Sequence, residues 1–261
     1  MNYTLKIEKQ HEREAIRNMP LQYFRENIAL YLDNALDRFP IDYEFIRSIA
    51  QSTKHHGFCD LHIKDVNRGM NDLNFLKDIP VAQIYIDSPD GTLVGAEHIK
   101  EFSSFVFLSK QGLDLSYLKP HQDRSMFSLA ISGKSLINIE SLSCFPDFEY
   151  LCLVGSISDC NVFKQFSSFK NKCRTELYLD DNLIEHLDCF EEIFLSGLSL
   201  NQNSVKYISN LPTMIKHNLK KCDHFFLSLQ NNPIEAKERI ELMEREDIQR
   251  LIKDRSLILR I

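Results

Sequence analysis

The stretch from Phe194 to Pro212, FLSGLSLNQNSVKYISNLP, places its apolar residues at uneven intervals. Leucines stand at 195, 198 and 200, an asparagine at 203, and further apolar residues at 205, 208 and 211. Apolar residues two positions apart fit a short strand that buries one face, because successive strand residues point to opposite faces. The three-residue steps that follow fit a 3₁₀ return, in which the side chains of residues i and i+3 are eclipsed. The stretch therefore predicts a short strand, a turn and an irregular helical return.

The two-residue spacing recurs along most of the chain. It occurs at Leu61/Ile63, Ile84/Ile86, Val106/Leu108, Leu129/Ile131, Leu151/Leu153, Leu177/Leu179, Leu198/Leu200 and Leu227/Leu229. The steps between first members are 23, 22, 23, 22, 26, 21 and 29 residues, and the longest step implies an extra segment near Lys216–Asp223. Such a period is typical of stacked coils, because each coil can bury its apolar edge only against its neighbours. The alternative is an ordinary α/β domain with incidental leucines. It is not favoured, because eight apolar pairs recur at similar intervals.

Three copies also carry an asparagine shortly after the paired leucines. They read ELYLDDNLI, LSGLSLNQNSV and FLSLQNNPI, with Asn182, Asn203 and Asn232. Over residues 58–234 the sequence resembles the leucine-rich repeat family, whose pattern is L-x-x-L-x-L-x-x-N/C-x-L. The resemblance implies an α/β solenoid, a horseshoe with a parallel β-sheet on its concave face. The asparagine side chain is expected to satisfy backbone groups where the chain leaves the strand. Middle copies depart from the pattern, with Pro89, Gln111, Lys134 and Ser156 at that position.

The two ends of the chain predict caps on this solenoid. Residues 1–57 predict a helical N-terminal cap, with one helix from Leu21 to Phe39 and a second beginning at Asp42, after Pro40. Residues 1–10 fit either a short strand, in the segment YTLKI, or a flexible arm. Residues 58–234 predict a solenoid of about eight repeats. Residues 235–261 predict a C-terminal cap, in which 235–253 fits a helix and SLILRI a closing strand.

Composition and cysteine usage indicate a cytoplasmic protein. The seven cysteines are odd in number and scattered without a CxxC motif, which favours reduced, mostly buried thiols over a disulfide framework. The N-terminus is too charged for a signal peptide, and no run approaches about 18 apolar residues. The net charge of −6 does not favour a nucleic-acid binder. We therefore expect neither a nucleic acid nor a membrane as partner.

The residues between the paired aliphatics are expected to point outward and to form the concave surface. Aromatic residues interleaved with acids on such a face are typical of a protein-binding surface. The candidate partner-binding residues are Tyr85, Asp87, Phe105, Phe107, Tyr150, Glu176, Tyr178, Asp180 and Phe226. An alternative remains for one copy, in which Phe105 and Phe107 are the inward pair and the register shifts by one residue.

Signals for catalysis or metal binding are weak. The segment HHGFCDLH holds His55, His56, Cys59, Asp60 and His62, which are metal-ligand types, but no second pair with matching spacing occurs. Cys152 on the predicted strand face lacks a nucleophile signature, and there is no GxxxxGK[ST] or GxGxxG motif. The basic stretch Lys216–His224 could contact RNA, but such runs are more often solvated loops. We predict no enzyme activity, no metal and no cofactor.

These observations predict a non-catalytic module that holds a folded protein partner on its concave face. Its most concrete form is an inhibitor such as a bacterial immunity protein, which neutralises a cognate toxin. The acids Asp60, Asp87, Glu176 and Asp180 would then face a basic toxin surface and speed association. One alternative is a secreted effector or adaptor that acts on host proteins. A third is a structural subunit of a larger complex.

Overall fold

The computed structural model describes residues 3–18, 28–36, 38–52, 58–67, 70–79, 81–99, 102–121, 126–171 and 174–261. The described strands are β1 (Tyr3–Ile7), β2 (Ile28–Asp33), β3 (Phe58–Lys64), β4 (Val81–Asp87), β5 (Ser104–Leu108), β6 (Gly112–Asp114), β7 (Met126–Ser132), β8 (Ser135–Ile137), β9 (Phe148–Val154), β10 (Glu176–Tyr178), β11 (Gly197–Ser199), β12 (Phe225–Ser228) and β13 (Leu257–Arg260). The described α-helices are α1 (Gln10–Arg17), α2 (Tyr43–Ser52), α3 (Ser168–Asn171), α4 (Leu211–Leu219), α5 (Ala236–Glu244) and α6 (Glu246–Lys253). Short 3₁₀ helices lie at Asn74–Leu76, Ala96–His98, Leu115–His121, Ile139–Cys144, Asn161–Gln165 and Asp188–Phe190.

The fold is mixed α/β, with a mostly parallel sheet of 11 strands that is not closed. The strands β6 and β8 form a separate parallel pair. The chain divides into two compact units, the first within residues 1–121 and 128–137 and the second within 122–127 and 138–261. In the first unit the strands pair in the order β1-β2-β3-β4-β5-β7. In the second the order is β9-β10-β11-β12-β13, and these pairs are also parallel.

The paired aliphatic positions form the core of each unit. In the second unit Leu151, Leu177, Leu198 and Leu227 occupy one register position on four neighbouring strands, and each is fully buried. Because each leucine lies beside its equivalent on the next strand, the apolar face continues from strand to strand. Burying one such side chain stabilises the folded state by about 1.5 to 3 kcal/mol. The prediction that the pairs point inward is confirmed for seven of the eight and is wrong for Val106/Leu108, which are only partly buried and lie on the outward face.

Buried asparagines join neighbouring strands of the second unit at the turns that follow them. The Nδ2 atom of Asn182 donates to the carbonyl of Leu153 at 2.7 Å and to that of Leu179 at 3.0 Å. Its Oδ1 atom accepts from the backbone N–H groups of Gly155 and Ile157 at 3.0 and 2.9 Å. Bonds of the same kind are made by Asn203 and Asn232. The prediction that these asparagines satisfy backbone groups where the chain leaves the strand is confirmed.

One prediction of the register is wrong. Phe105 and Phe107 were placed on the outward face, but both are fully buried and pair in register with Ile84 and Ile86. The four consecutive apolar residues 105–108 satisfy either register by pattern alone. The neighbouring strand β4 decides between them, because its inward residues have to meet inward residues of β5. Phe105 and Phe107 are therefore core residues and leave the set of candidate partner-binding residues.

The predicted helix from Leu21 to Phe39 is also wrong over its described part. Residues Ile28–Asp33 form the strand β2, whose Leu30 and Leu32 pair with the inward residues of β3. The segment IALYLD fits a strand as well as a helix, and it becomes a strand because it pairs with strands on both sides. The predicted helix residues 21–27 and 37 lie outside the described residues. The predicted short strand YTLKI and the helix beginning near Asp42 are confirmed as β1 and α2.

The C-terminal segment contains two helices rather than one. Arg245 takes an extended conformation, with φ −67° and ψ 123°, and separates α5 from α6. Its guanidinium group binds the Asp247 carboxylate in the first turn of α6 through two contacts of 3.1 and 3.0 Å. The predicted closing strand is confirmed as β13. The helix α4 accounts for the extra residues of the longest repeat step.

The prediction of reduced cysteines is wrong for at least three of them, because Cys160, Cys189 and Cys222 are disulfide-bonded. Cys160 and Cys189 form a disulfide, with their Cα atoms 5.7 Å apart. The two residues are 29 positions apart in the sequence and both are buried. Their separation of 29 residues is close to the spacing of the apolar pairs and does not match a short motif such as CxxC. The cysteine spacing therefore did not predict this bond. Cys152 is a free thiol.

Candidate functional site

The outward residues of the second unit form rows across the strands, because neighbouring strands pair in register. One row contains Tyr150, Glu176, Gly197, Phe226 and Ile258. The next row contains Cys152, Tyr178, Ser199, Ser228 and Arg260. The sheet thus brings together residues that are more than 100 positions apart in the sequence.

Three rings on these rows form what we call the aromatic strip, namely Tyr150, Tyr178 and Phe226. The ring centroids of Tyr150 and Tyr178 are 4.9 Å apart, and those of Tyr178 and Phe226 are 6.5 Å apart. The guanidinium carbon of Arg260 lies 5.5 Å from the Phe226 centroid, which is within the range of a cation–π contact. The strip is half-buried, so it offers apolar area while its edges stay in solvent.

The acid of the strip is tied to one of its rings. The Tyr178 hydroxyl donates to the Glu176 carboxylate at 2.9 Å. Burial first, and then this carboxylate, raise the pKa of Tyr178 to about 12. Burial, with a smaller contribution from Cys152, likewise raises the pKa of Tyr150. Both phenols therefore stay neutral near pH 7, and the strip presents neutral rings beside a single exposed carboxylate.

Asp180 is held by the chain itself. Its Oδ1 atom accepts from the Ser199 hydroxyl and from the Asn201 backbone N–H, both at 2.7 Å. The network continues where the Ser228 hydroxyl donates to Asn201 Oδ1 at 2.6 Å. Asp180 therefore holds neighbouring strands together at the edge of the strip through these hydrogen bonds. The sequence analysis predicted instead that its carboxylate would face a partner.

The free thiol of Cys152 is not activated for nucleophilic chemistry. Burial raises the pKa of Cys152, the charge of Asp180 raises it further, and a hydrogen bond with Tyr150 opposes this only in part. A nucleophilic cysteine needs the opposite shift, because the thiolate is the reactive form. The residues that the structure describes contain no group of three or more histidines, cysteines or acids arranged to hold a metal ion. His55 and His56 of the histidine-rich segment lie outside the described residues.

The first unit carries a second aromatic group on its outward face. The rings of His62 and Tyr85 are nearly parallel, with centroids 4.2 Å apart and planes at 9°, and Tyr31 follows at 5.6 Å from His62. We call these three residues the ring stack. Burial lowers the pKa of His62, although the nearby charges of Asp33 and Asp87 oppose the shift. Sequence reasoning missed Tyr31 because it assigned that segment to a helix.

The sequence-predicted residues thus fall into three groups. The second unit brings together Tyr150, Glu176, Tyr178, Asp180 and Phe226, the first unit holds Tyr85 and Asp87, and Phe105 and Phe107 are core residues.

None of the described helices has both the length and the apolar character needed to cross a membrane. Comparison with models of known families finds no family that matches, and comparison with curated proteins finds no relative.

Proposed function

We propose that this protein is a non-catalytic binding module, a leucine-rich repeat solenoid that recognises a folded protein partner through the outward face of its strands. The observation that carries the proposal is the aromatic strip. Three adjacent rings on an exposed sheet face, bordered by a polar network, have the composition of a binding hot spot inside a polar rim. A strand face that served solubility alone would carry lysine, glutamate or threonine instead.

The charges favour a basic partner. Glu176 on the strip and Asp87 in the first unit are outward carboxylates, and the whole chain carries a net charge of −6. Opposite charge on a partner would steer the encounter and raise the association rate. The most concrete function is inhibition of a basic toxin domain, as by a bacterial immunity protein in the cytoplasm of the producing cell. The raised pKa of Cys152 supports binding rather than catalysis as the role of this face.

A second candidate is favoured by a different observation. Disulfides form and persist mainly in oxidising compartments and are rare in the cytoplasm. The Cys160–Cys189 disulfide is therefore the feature that favours a secreted effector or adaptor acting on host proteins. The two candidates use the same outward face and differ in the compartment and in the partner.

Affinity capture on the immobilised chain tests the shared part of the proposal. The test variant is Tyr150→Ala/Tyr178→Ala/Phe226→Ala, and the matched control is Tyr207→Ala, which removes a tyrosine that is 59% exposed and lies on no strand. We expect the wild type and the control to capture the same partner and the triple variant to lose it, with melting temperatures close to that of the wild type. Capture that is equal for all three proteins would overturn the proposal. A captured partner whose toxicity is suppressed by co-expression of this chain would favour the inhibitor over the effector.

A further inference from the structure

Next to the ring stack of the first unit, the row of outward side chains changes from large rings to small aliphatic residues. The row that contains it runs across five strands as Tyr31, His62, Tyr85, Val106 and Ala130. His62 on β3 covers one face of the Tyr85 ring. On the other side of β4 lies β5, where the row continues with the shorter side chains of valine and alanine. Tyr85 is partly exposed, and within the described residues no second ring stacks on it from the β5 side.

A carboxylate lies beside this ring face. Asp87 is two residues further along β4, so its side chain is on the same side of the sheet as Tyr85. Its register neighbour Lys64 directs its ammonium group to Asp33, at 3.8 Å from Oδ2. Within the described part of the chain, no side chain forms a hydrogen bond or an ion pair with the Asp87 carboxylate. The charge of Asp87 nevertheless acts on the ring, because it contributes to the raised pKa of Tyr85 after burial.

The second unit shows what such a ring accepts on this face of the sheet. There the next strand supplies Arg260, whose guanidinium group lies over Phe226. In the first unit the strand next to Tyr85 supplies Val106 and Leu108, and within the described residues no lysine or arginine lies over the Tyr85 ring. The ring face and the carboxylate are left for a cation from another molecule.

We infer that Tyr85 and Asp87 form a binding site for a guanidinium group, supplied by an arginine in a basic segment of the partner. A guanidinium group is planar, so it can stack on the Tyr85 ring while it donates hydrogen bonds to the Asp87 carboxylate. A lysine ammonium is a compact charge without a planar fork, so it cannot stack flat on the ring or form two parallel hydrogen bonds to the carboxylate, and arginine is preferred. This inference rests on the proposed function in one respect, that the arginine belongs to the protein partner.

The surrounding charges set the condition for binding. Asp33, Asp60 and Asp87 are negative, Lys64 is positive, and Lys6 of β1 continues the row beside Tyr31 as a second positive charge, paired with Glu8. His62 carries no charge when it is deprotonated. Burial keeps the pKa of His62 below its ordinary value, so the imidazole is neutral at pH 7. Protonation of His62 would place a positive charge one ring away from the guanidinium group. Binding of a cation at Tyr85 is therefore expected to weaken as the pH falls.

The test is titration of the intact chain with an acetylated, amidated hexa-arginine peptide, followed by calorimetry and by NMR of the tyrosine and histidine rings. Tyr85→Leu and Asp87→Asn are the test variants, and Tyr207→Ala and Glu185→Gln are the controls for an exposed tyrosine and an exposed acid. We expect at least a fivefold rise in Kd for each test variant, ring shifts at His62 and weaker binding of hexa-lysine. Equal affinity of the two peptides, or equal losses for test and control variants, would overturn the inference by indicating general charge attraction.

Melting curves of each variant establish that it is folded before its affinity is compared, and Tyr85→Phe, which keeps the ring, is expected to bind as the wild type does. Loss of binding in a folded Tyr85→Phe variant would contradict ring stacking. The outcome is separable from that of the proposed function. Capture of a partner through the aromatic strip, without hexa-arginine binding at Tyr85, would refute this inference alone. Binding at Tyr85, without any captured partner, would refute the proposed function alone.

Discussion

Gly197 lies directly beside Phe226 in the register of β11 and β12. Because Gly197 has no side chain, the Phe226 ring can lie close to its backbone. A Cβ atom on Gly197 would lie 3.3 Å from Phe226 Cδ1 and 3.4 Å from Glu176 Cγ. Ordinary side chains on this strand would therefore separate Glu176 from Phe226 and move the ring of Phe226. The aromatic strip depends on a residue that contributes no atoms to it.

Gly197→Val is expected to weaken partner binding because its branched side chain displaces the Phe226 ring. The crowding should also lower the free energy of unfolding by about 1 to 3 kcal/mol, less whatever the strand gains from valine. Calorimetry with the captured partner and urea unfolding measure the two effects. Ser104→Val, at an outward position of β5, is the matched control. Unchanged affinity in a folded Gly197→Val variant would show that the position of Phe226 does not matter for binding.

Asn182→Ala is expected to destabilise the second unit strongly. The change leaves the carbonyl of Leu153 and the N–H of Gly155 without their buried partner, and each such group costs about 1 to 3 kcal/mol. Urea unfolding should show a loss of about 3 kcal/mol relative to the wild type. The control Gln165→Ala, at an exposed position of a 3₁₀ helix, should change stability by less than about 0.5 kcal/mol. Similar losses for the two variants would contradict the role of the asparagines between neighbouring strands.

Acidification is expected to destabilise the fold through His62. Its folded-state pKa lies below the ordinary value of 6.5, so the unfolded chain binds a proton more readily than the folded chain. The free energy of unfolding contributed by His62 is therefore fully present above pH 6.5 and decreases as the pH falls toward the folded pKa. Melting temperatures of the wild type and of His62→Gln, measured across this range, test the sign.

His217 also contributes to the pH dependence of the free energy of unfolding, and with the same sign as His62. Burial and the charges of Lys220 and Lys221 also lower the pKa of His217, so both histidines should destabilise the fold in acid. His62→Gln is expected to remove part of the acid sensitivity, and His62→Gln/His217→Gln a larger part. A profile for His62→Gln that is steeper than that of the wild type would contradict the assigned direction.

Reduction of the Cys160–Cys189 disulfide is expected to lower stability by about 2 to 4 kcal/mol. Thermal unfolding with and without a thiol reductant measures the effect, and Cys160→Ser/Cys189→Ser should lose the part of the reductant effect that comes from this bond, whereas the bond of Cys222 stays sensitive. Alkylation and mass spectrometry of protein taken from its native compartment then show which form exists there. Free thiols would favour the cytoplasmic inhibitor, whereas a bonded pair would favour the secreted effector.

The parallel strands and their inward residues could be predicted because each copy repeats the same physical requirement. Leu177 and Leu179 have polar or mixed neighbours, so alternation alone assigns their face. Asn182 could be predicted in the same way, since a buried turn needs a side chain that both donates and accepts. The outward position of Tyr150 and Tyr178 then followed from the inward position of the residues between them.

Other features depend on neighbours that the local sequence does not describe. Phe105 could not be placed because residues 105–108 are all apolar, and only pairing with β4 decides their register. Tyr31 was missed because the six-residue segment IALYLD, with five apolar residues and an aspartate, fits a helix as well as a strand, and only pairing on both sides decides. Cys160 and Cys189 are 29 residues apart and meet only in the folded chain, which no short spacing rule anticipates.

The most direct test of the central claim is hydroxyl-radical footprinting of the chain, alone and in complex with the captured partner. The rate of side-chain oxidation at Tyr150, Tyr178 and Tyr207 reports which tyrosines the partner covers. We predict at least a threefold protection of Tyr150 and Tyr178 in the complex and no change at Tyr207, about as expected for rings at the centre of an interface. Unchanged oxidation of Tyr150 and Tyr178, with protection at Tyr207 or elsewhere, would contradict recognition through the strand face.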